Sequence, residues 1–132
     1  MSIFSTIFGN SETQNTSTNK MNWINLTDLG QLNEIVTASQ ETPVVIFKHS
    51  TRCSVSRMAL KQFENEYCIE NDEVTTYFLD LIAFRSISNA IEERFGVQHQ
   101  SPQLLLIKGG KSVYDVSHSD IDAAELKGRL LL

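Results

Sequence analysis

The sequence predicts a mixed α/β domain in which helices cover both faces of one central sheet. Three observations carry that expectation. Val44-Val45-Ile46-Phe47 is an unbroken apolar run, as expected of a strand covered on both sides. Helical periodicities alternate with strand patterns as far as Gly96, which demands parallel connections. Gly109-Gly110 then separates two short strand patterns and requires an antiparallel pair. The expected order from Asn22 onward is β-α-β-α-β-α-β-β-α.

Asn22 to Leu26 reads as a short strand. A helix follows over about Leu29 to Ser39, with Leu29, Leu32, Ile35 and Val36 on one face and Asp28 and Gln31 at capping-box spacing. Pro43 breaks the chain before the apolar strand, and His49 to Arg52 turn it again. Val55, Met58, Leu60, Phe63 and Tyr67 then suggest a second helix, with Leu60 off the cleanest stripe. Val74 to Asp80 is rich in β-branched and aromatic residues and suits a second central strand. Ile87, Ala90, Ile91 and Phe95 recur at helical intervals, and Gly96 is placed to end that helix. Leu104 to Ile107 and Lys111 to Ser117 form the hairpin. The last helix is expected from about Ser119, with Ser119 and Asp122 at capping-box spacing and Ile121, Ala124 and Leu131 facing the sheet.

The 132 residues, 41% of them hydrophobic, suffice for one core but not for two of ordinary size. Residues 1–21 read as a flexible N-terminal tail and residues 22–132 as the domain. Ile3, Phe4, Ile7 and Phe8 make a small apolar patch, but Gly9 to Lys20 is too polar to offset the entropy of ordering it. With 16 acidic and 11 basic residues the net charge is −5, which argues against a general nucleic-acid or anionic-membrane partner. There is no apolar run long enough to span a membrane and no convincing signal peptide. Two cysteines, Cys53 and Cys68, match neither a disulfide framework nor a metal-binding spacing, so a reducing cytoplasmic setting without metal is expected.

Chemistry concentrates in Lys48-His49-Ser50-Thr51-Arg52-Cys53-Ser54-Val55-Ser56-Arg57. A strand-to-helix turn at this point puts Cys53 in the first turn of a helix, where unpaired N–H groups and the helix dipole favour a thiolate. Lys48, Arg52, Arg57 and Lys61 add four cations with no acid between positions 48 and 61. Ser56 stands where a resolving cysteine would complete Cys-X-X-Cys; its hydroxyl can approach the sulfur but cannot form a disulfide. Cys68 lies near the far end of the same helix, roughly 20 Å away at the α-helical rise, so the two thiols are not expected to pair. The pattern points to a one-cysteine exchange centre resolved by an external thiol. A small buried cysteine with no redox role gives the same pattern. His49 can polarise the site, or bond the backbone where the strand ends. His99 and His118 read as structural or surface residues. Ser101-Pro102 marks the start of a strand.

From about Trp23 to Leu131 the sequence resembles the monothiol bacilliredoxin family of the thioredoxin-like superfamily. The resemblance is carried by Phe47-Lys48-His49-Ser50-Thr51-Arg52-Cys53 with Ser56, by Tyr77-Phe78-Leu79-Asp80-Leu81 with Arg85, and by Val97-Gln98-His99-Gln100-Ser101-Pro102-Gln103. Ser117-His118-Ser119 with Ile121 adds a weaker match. Ser54 stands where close relatives are expected to have proline, and Gln100 where they are expected to have an acid.

The resemblance implies a thioredoxin-like mixed sheet flanked by helices, with Cys53 as redox centre and Pro102 as a cis-proline beside it. Lys48, His49, Arg52, Ser56, Ser101 and Pro102 would position substrate or tune the thiol. It further implies bacillithiol as the low-molecular-weight co-substrate, bacillithiolated proteins as clients, a separate reductase for recycling, and no cofactor bound by this chain. A thioredoxin-like module that binds peptides without redox cycling is the alternative.

Overall fold

The computed structural model describes residues 21–131. Residues 1–20, most of the expected tail, lie outside the described residues. The elements are β1 (Ile24–Asn25), α1 (Gly30–Ala38), β2 (Val44–His49), α2 (Ser54–Glu66), β3 (Thr75–Asp80), α3 (Arg85–Phe95), β4 (Gln103–Lys108), β5 (Lys111–Ser117), a 3-10 turn (His118–Asp120) and α4 (Ala123–Leu130). They form one five-stranded sheet in the order β1-β3-β2-β4-β5. β1 and β2 run parallel to β3, whereas β4 is antiparallel to both β2 and β5. The expected mixed α/β architecture and element order are both present.

Strand alternation divides the apolar residues between two cores. Val44 and Ile46 of β2, with Leu105 and Ile107 of β4, pack with Leu32 and Ile35 of α1 and Ile87 and Ile91 of α3. Val45, Phe47, Leu104 and Leu106 point the other way, toward Phe63 of α2 and Ala123 and Leu126 of α4. Met21, assigned to the tail by sequence, is also buried in this second core. All eight of these central strand residues are fully buried. At roughly 1.5–3 kcal/mol for each large apolar side chain, they make β2 and β4 the rigid centre from which the Cys53 turn departs. Phe47 and Phe63, with ring centroids 5.7 Å apart, fix α2 over that centre.

Glycine chemistry is as expected where the backbone demands it. Gly96 caps α3 in the left-handed region at φ 67°, its N–H donating to Glu92 O, and Gly109 and Gly110 turn the hairpin at φ 60° and 78°. Other expectations are corrected. At α1, Gln31 Oε1 accepts from the N–H groups of Thr27 and Asp28, but Leu29 is the N-cap and makes no side-chain cap. α4 begins later than Ser119, because Asp122 is itself the N-cap and accepts from the N–H groups of Ala124 and Glu125. That register turns Ala123 and Leu126 inward, with Ala124 exposed and Leu131 84% exposed. In α2, Val55 and Met58 are exposed, while Ala59 and Leu60 pack partly against the core.

Candidate active site

Lys48 and His49 end β2, and the two-residue period sends their side chains to opposite faces. His49 follows Phe47 toward α2, and Lys48 follows Ile46 toward α3. The chain then turns through Ser50, Thr51 and Arg52, closed by a hydrogen bond from Cys53 N–H to Ser50 O at 3.2 Å. Cys53 is the N-cap of α2, one position before its first turn, with extended backbone at φ −109° and ψ 122°. Its carbonyl accepts from Arg57 N–H at 3.1 Å, starting the helical ladder, while its sulfur makes no capping hydrogen bond. The free thiol is half-buried.

The cations expected around Cys53 are not gathered there as a group. Arg57 donates from Nη1 to Thr51 O at 3.2 Å and so braces the turn's backbone. Arg52 and Lys61 are exposed. Lys48 is fully buried, with Nζ 2.8 Å from His99 Nδ1, on the face of the sheet opposite α2. Desolvation pulls its pKa from 10.5 to about 8, against the opposing charge of Glu92 and with that of Arg85. His99 is held neutral in turn. Burial lowers its pKa first, then the nearby charges of Lys48 and Arg85, with Glu92 opposing.

Ser56 does not turn its hydroxyl to the sulfur. Fully buried, its Oγ accepts from Ser50 N–H at 3.0 Å and lies 2.7 Å from His49 Nδ1. Burial is also the main cause that lowers the His49 pKa, with Arg57 adding to it and Asp80 and Glu64 opposing. The direction of the Ser56–His49 bond follows the imidazole tautomer, since the hydroxyl can donate to a bare Nδ1 or accept from a protonated one. The imidazole packs on Phe78 with centroids 5.5 Å apart, and the His49 carbonyl accepts from Leu81 N–H at 3.0 Å. His49 therefore braces the underside of the Cys53 turn through both its side chain and its backbone.

The second wall of the site is the segment entering β4. Gln103 stands opposite Lys48 in the β2–β4 register, so Pro102 lies beside the end of β2 from which the Cys53 turn leaves. The Ser101–Pro102 peptide bond is cis. Pro102 O accepts from His118 N–H at 3.0 Å, and His118 has φ 57°, a left-handed conformation uncommon for a residue with a side chain. Ser101 is half-buried, and its Oγ has no hydrogen-bond partner. Next to this wall, Val55, Met58, Ala59, Gln62, His118, Ser119 and Ile121 line a groove of about 260 Å³.

His99 and His118 are the residues that sequence reasoning undervalued. Each lies in a stretch that carried the family resemblance, but only the folded chain brings His99 to Lys48 and His118 to Pro102. Cys68 stands apart: it is exposed, just beyond the Tyr67 C-cap of α2, with Lys127 Nζ 3.6 Å from its sulfur. Among the described residues no group of three or more His, Cys, Asp or Glu side chains could hold a metal ion. No described helix is long and apolar enough to cross a membrane.

Comparison with known proteins agrees with this geometry. A proposed oxidoreductase with a thioredoxin fold superposes with a TM-score of 0.69 at 25% identity, covering 83% of this chain and 94% of that one. Thioredoxin O2 from Arabidopsis thaliana in its oxidised state gives 0.56 at 23% identity, covering 83% and 91%. The Malassezia sympodialis thioredoxin Mala s 13 gives 0.60 at 19% identity, covering 81% and 86%. These likenesses show the thioredoxin fold. The sequence pattern of the family described as monothiol bacilliredoxin BrxC matches residues 24–126, a span that runs from β1 into α4 and takes in both walls of the site. The chain that presents Cys53 between them belongs to the monothiol bacilliredoxin family.

Proposed function

We propose that the protein catalyses monothiol thiol–disulfide exchange, removing bacillithiol from mixed disulfides on client proteins. The observation that carries the reading is the half-buried free thiol of Cys53 at the N-cap of α2, with a hydrogen-bonded serine in place of a resolving cysteine. Family membership supports redox chemistry at this thiol.

In the first step the Cys53 thiolate attacks the bacillithiol sulfur of the mixed disulfide. A sulfur–sulfur bond forms between Cys53 and bacillithiol as the bond to the client breaks, and the client thiolate leaves with the electron pair and takes a proton from water. In the second step the thiolate of a free bacillithiol attacks the bacillithiol sulfur on Cys53. Bacillithiol disulfide forms and Cys53 leaves as thiolate, so no net electrons are gained or lost by the protein. A separate reductase would return the small disulfide to thiol. The orphan N–H groups at the start of α2 favour Cys53 as attacker and again as leaving group. The reaction belongs in the cytoplasm, where small thiols are kept reduced.

The test mixes reduced full-length protein with a purified bacillithiolated client and weighs both products intact. Released client thiol together with a bacillithiol adduct on Cys53 is expected, with the adduct removed by excess bacillithiol. Failure of the folded wild type to accelerate exchange on several clients sinks the reading and leaves peptide binding without redox cycling, for which the Val55–Met58 groove provides the surface.

A further inference from the structure

We propose that Lys48 and His99 are positioning residues for the loop Gln98–Ser101 and Pro102, governing how firmly a client is held rather than how fast the Cys53 thiol reacts. The inference rests on the exchange reading above and assigns a role within that same site.

A lysine in the middle of a sheet needs a reason. Lys48 continues Val44 to Phe47, all fully buried, and is itself 0% exposed. A methionine there would pack without the desolvation cost of an ammonium. Among the described residues Lys48 forms no salt bridge; its partner is a neutral acceptor, His99 Nδ1, at 2.8 Å. Ser88 Oγ of α3 reaches the same nitrogen at 3.2 Å, and His99 N–H donates to Glu92 Oε2 at 3.3 Å. One residue earlier, Gln98 O accepts from Gln103 Nε2 at 3.0 Å. The loop is thus tied to β2, α3 and β4 through two consecutive residues. The buried Ser101 Oγ of the loop has no partner, so the anchoring falls on His99 and Gln98.

The direction of the lysine decides what it acts on. Its side chain leaves the sheet on the α3 side, away from α2 and the helix start at Cys53, and its hydrogen bond ends on the loop that feeds Pro102. Because Lys48 stands opposite Gln103, a displacement at His99 is passed within three residues to Pro102, the wall beside the Cys53 turn. Buried polar contacts of this kind are best attested as devices that fix register.

Lys48→Met, His99→Leu and His99→Asn in the full chain separate the alternatives. Lys48→Met and His99→Leu are expected to raise KM for a bacillithiolated client about tenfold with kcat held within about twofold, inside the hundredfold that a 1 Å misplacement can cost. Alkylation of Cys53 by iodoacetamide, which needs no loop, should stay within about twofold of wild type. Amides of residues 97–103 should exchange with deuterium about tenfold faster, by the same loss of restraint. His99→Asn, whose Oδ1 replaces the acceptor at Nδ1, should restore most of both. Slowing of alkylation in step with exchange in Lys48→Met would instead assign the lysine to the thiol and overturn the proposal. Unchanged KM and unchanged loop protection would overturn it as well. If the loop loosens as expected but no client is exchanged even by wild type, the anchoring role stands and the exchange reading fails.

Discussion

Two helices on the same face of the sheet start from closely similar backbone geometry and differ in what the N-cap side chain does. Asp122, at φ −147° and ψ 122°, turns its carboxylate onto two N–H groups of α4. Cys53, at φ −109° and ψ 122°, makes no such bond, so its side chain leaves the first turn of α2 uncapped. A satisfied helix start is worth about 1 kcal/mol, whereas an unsatisfied one supplies a positive field to an incoming or departing sulfur anion. One helix start is closed by its own side chain, and the other is left uncapped at the thiol that the proposed exchange uses.

Cys53→Ser should break the comparison most completely. It converts the second helix start into a capped one, so exchange is expected to vanish while resistance to urea rises by about 0.5–1 kcal/mol, as serine accepts from the N–H groups that the cysteine side chain leaves uncapped. Cys68→Ser should change neither. Residual exchange by the Cys53→Ser protein at the wild-type rate would remove Cys53 from the nucleophile's role.

Ser56→Ala tests the support beneath the uncapped end. It strands Ser50 N–H and His49 Nδ1 in a buried setting, and equilibrium unfolding should show a loss of roughly 1–3 kcal/mol together with slower exchange. A variant of wild-type stability would show that the turn holds without this network.

Asp122→Ala addresses the capped end. A loss of about 1 kcal/mol in urea with exchange rates unchanged is expected. An exchange defect of the same proportion as that of Ser56→Ala would mean that the two helix starts are not separable in function.

The comparison is sharpened last by the pH dependence of stability. His49 and His99 have folded pKa values below the ordinary 6.5, so the unfolded chain binds protons first as pH falls through that value, and stability drops from there toward the folded pKa values. Lys48, lowered to about 8, works in the other arm: between about 8 and 10.5 the unfolded chain holds the extra proton, and this residue's contribution to stability grows as pH rises. Urea midpoints at pH 5, 7 and 9, compared with those of His99→Asn and Lys48→Met, separate the two arms; an identical profile in all three proteins would contradict both assignments.

Where local signals agree with tertiary packing, the fold was legible in advance. Val44 to Phe47 is apolar on both faces because both are covered, and Gly96, Gly109 and Gly110 occupy backbone positions that favour glycine. The start of α4 was misplaced because Asp122 satisfies two readings, third residue after a serine cap or cap in its own right, and only the packing of Ala123 and Leu126 chooses between them. Cys53 could be found by its place between strand and helix. The division of labour around it could not, since a run of cations in sequence does not say which face of the sheet each will take. Once α2 is known to lie on the Phe47 face, the two-residue period sends Lys48 to the other, and His99, fifty-one residues on, is brought to it only by the β4 register.

The outer margin of the sheet has a consequence of its own. Between Leu106 and Ile107 the β4–β5 register slips, leaving Val113 as an extra, 52% exposed residue on β5. Such a bulge bends an edge strand and interrupts its row of free N–H and C=O groups. With Lys111 at the strand's start and Asp115 beyond the bulge, this margin is a poor template for a strand from another molecule. The bulge and the charges beside it thereby protect this margin from pairing along its backbone with a strand of another molecule, a second copy of this chain included.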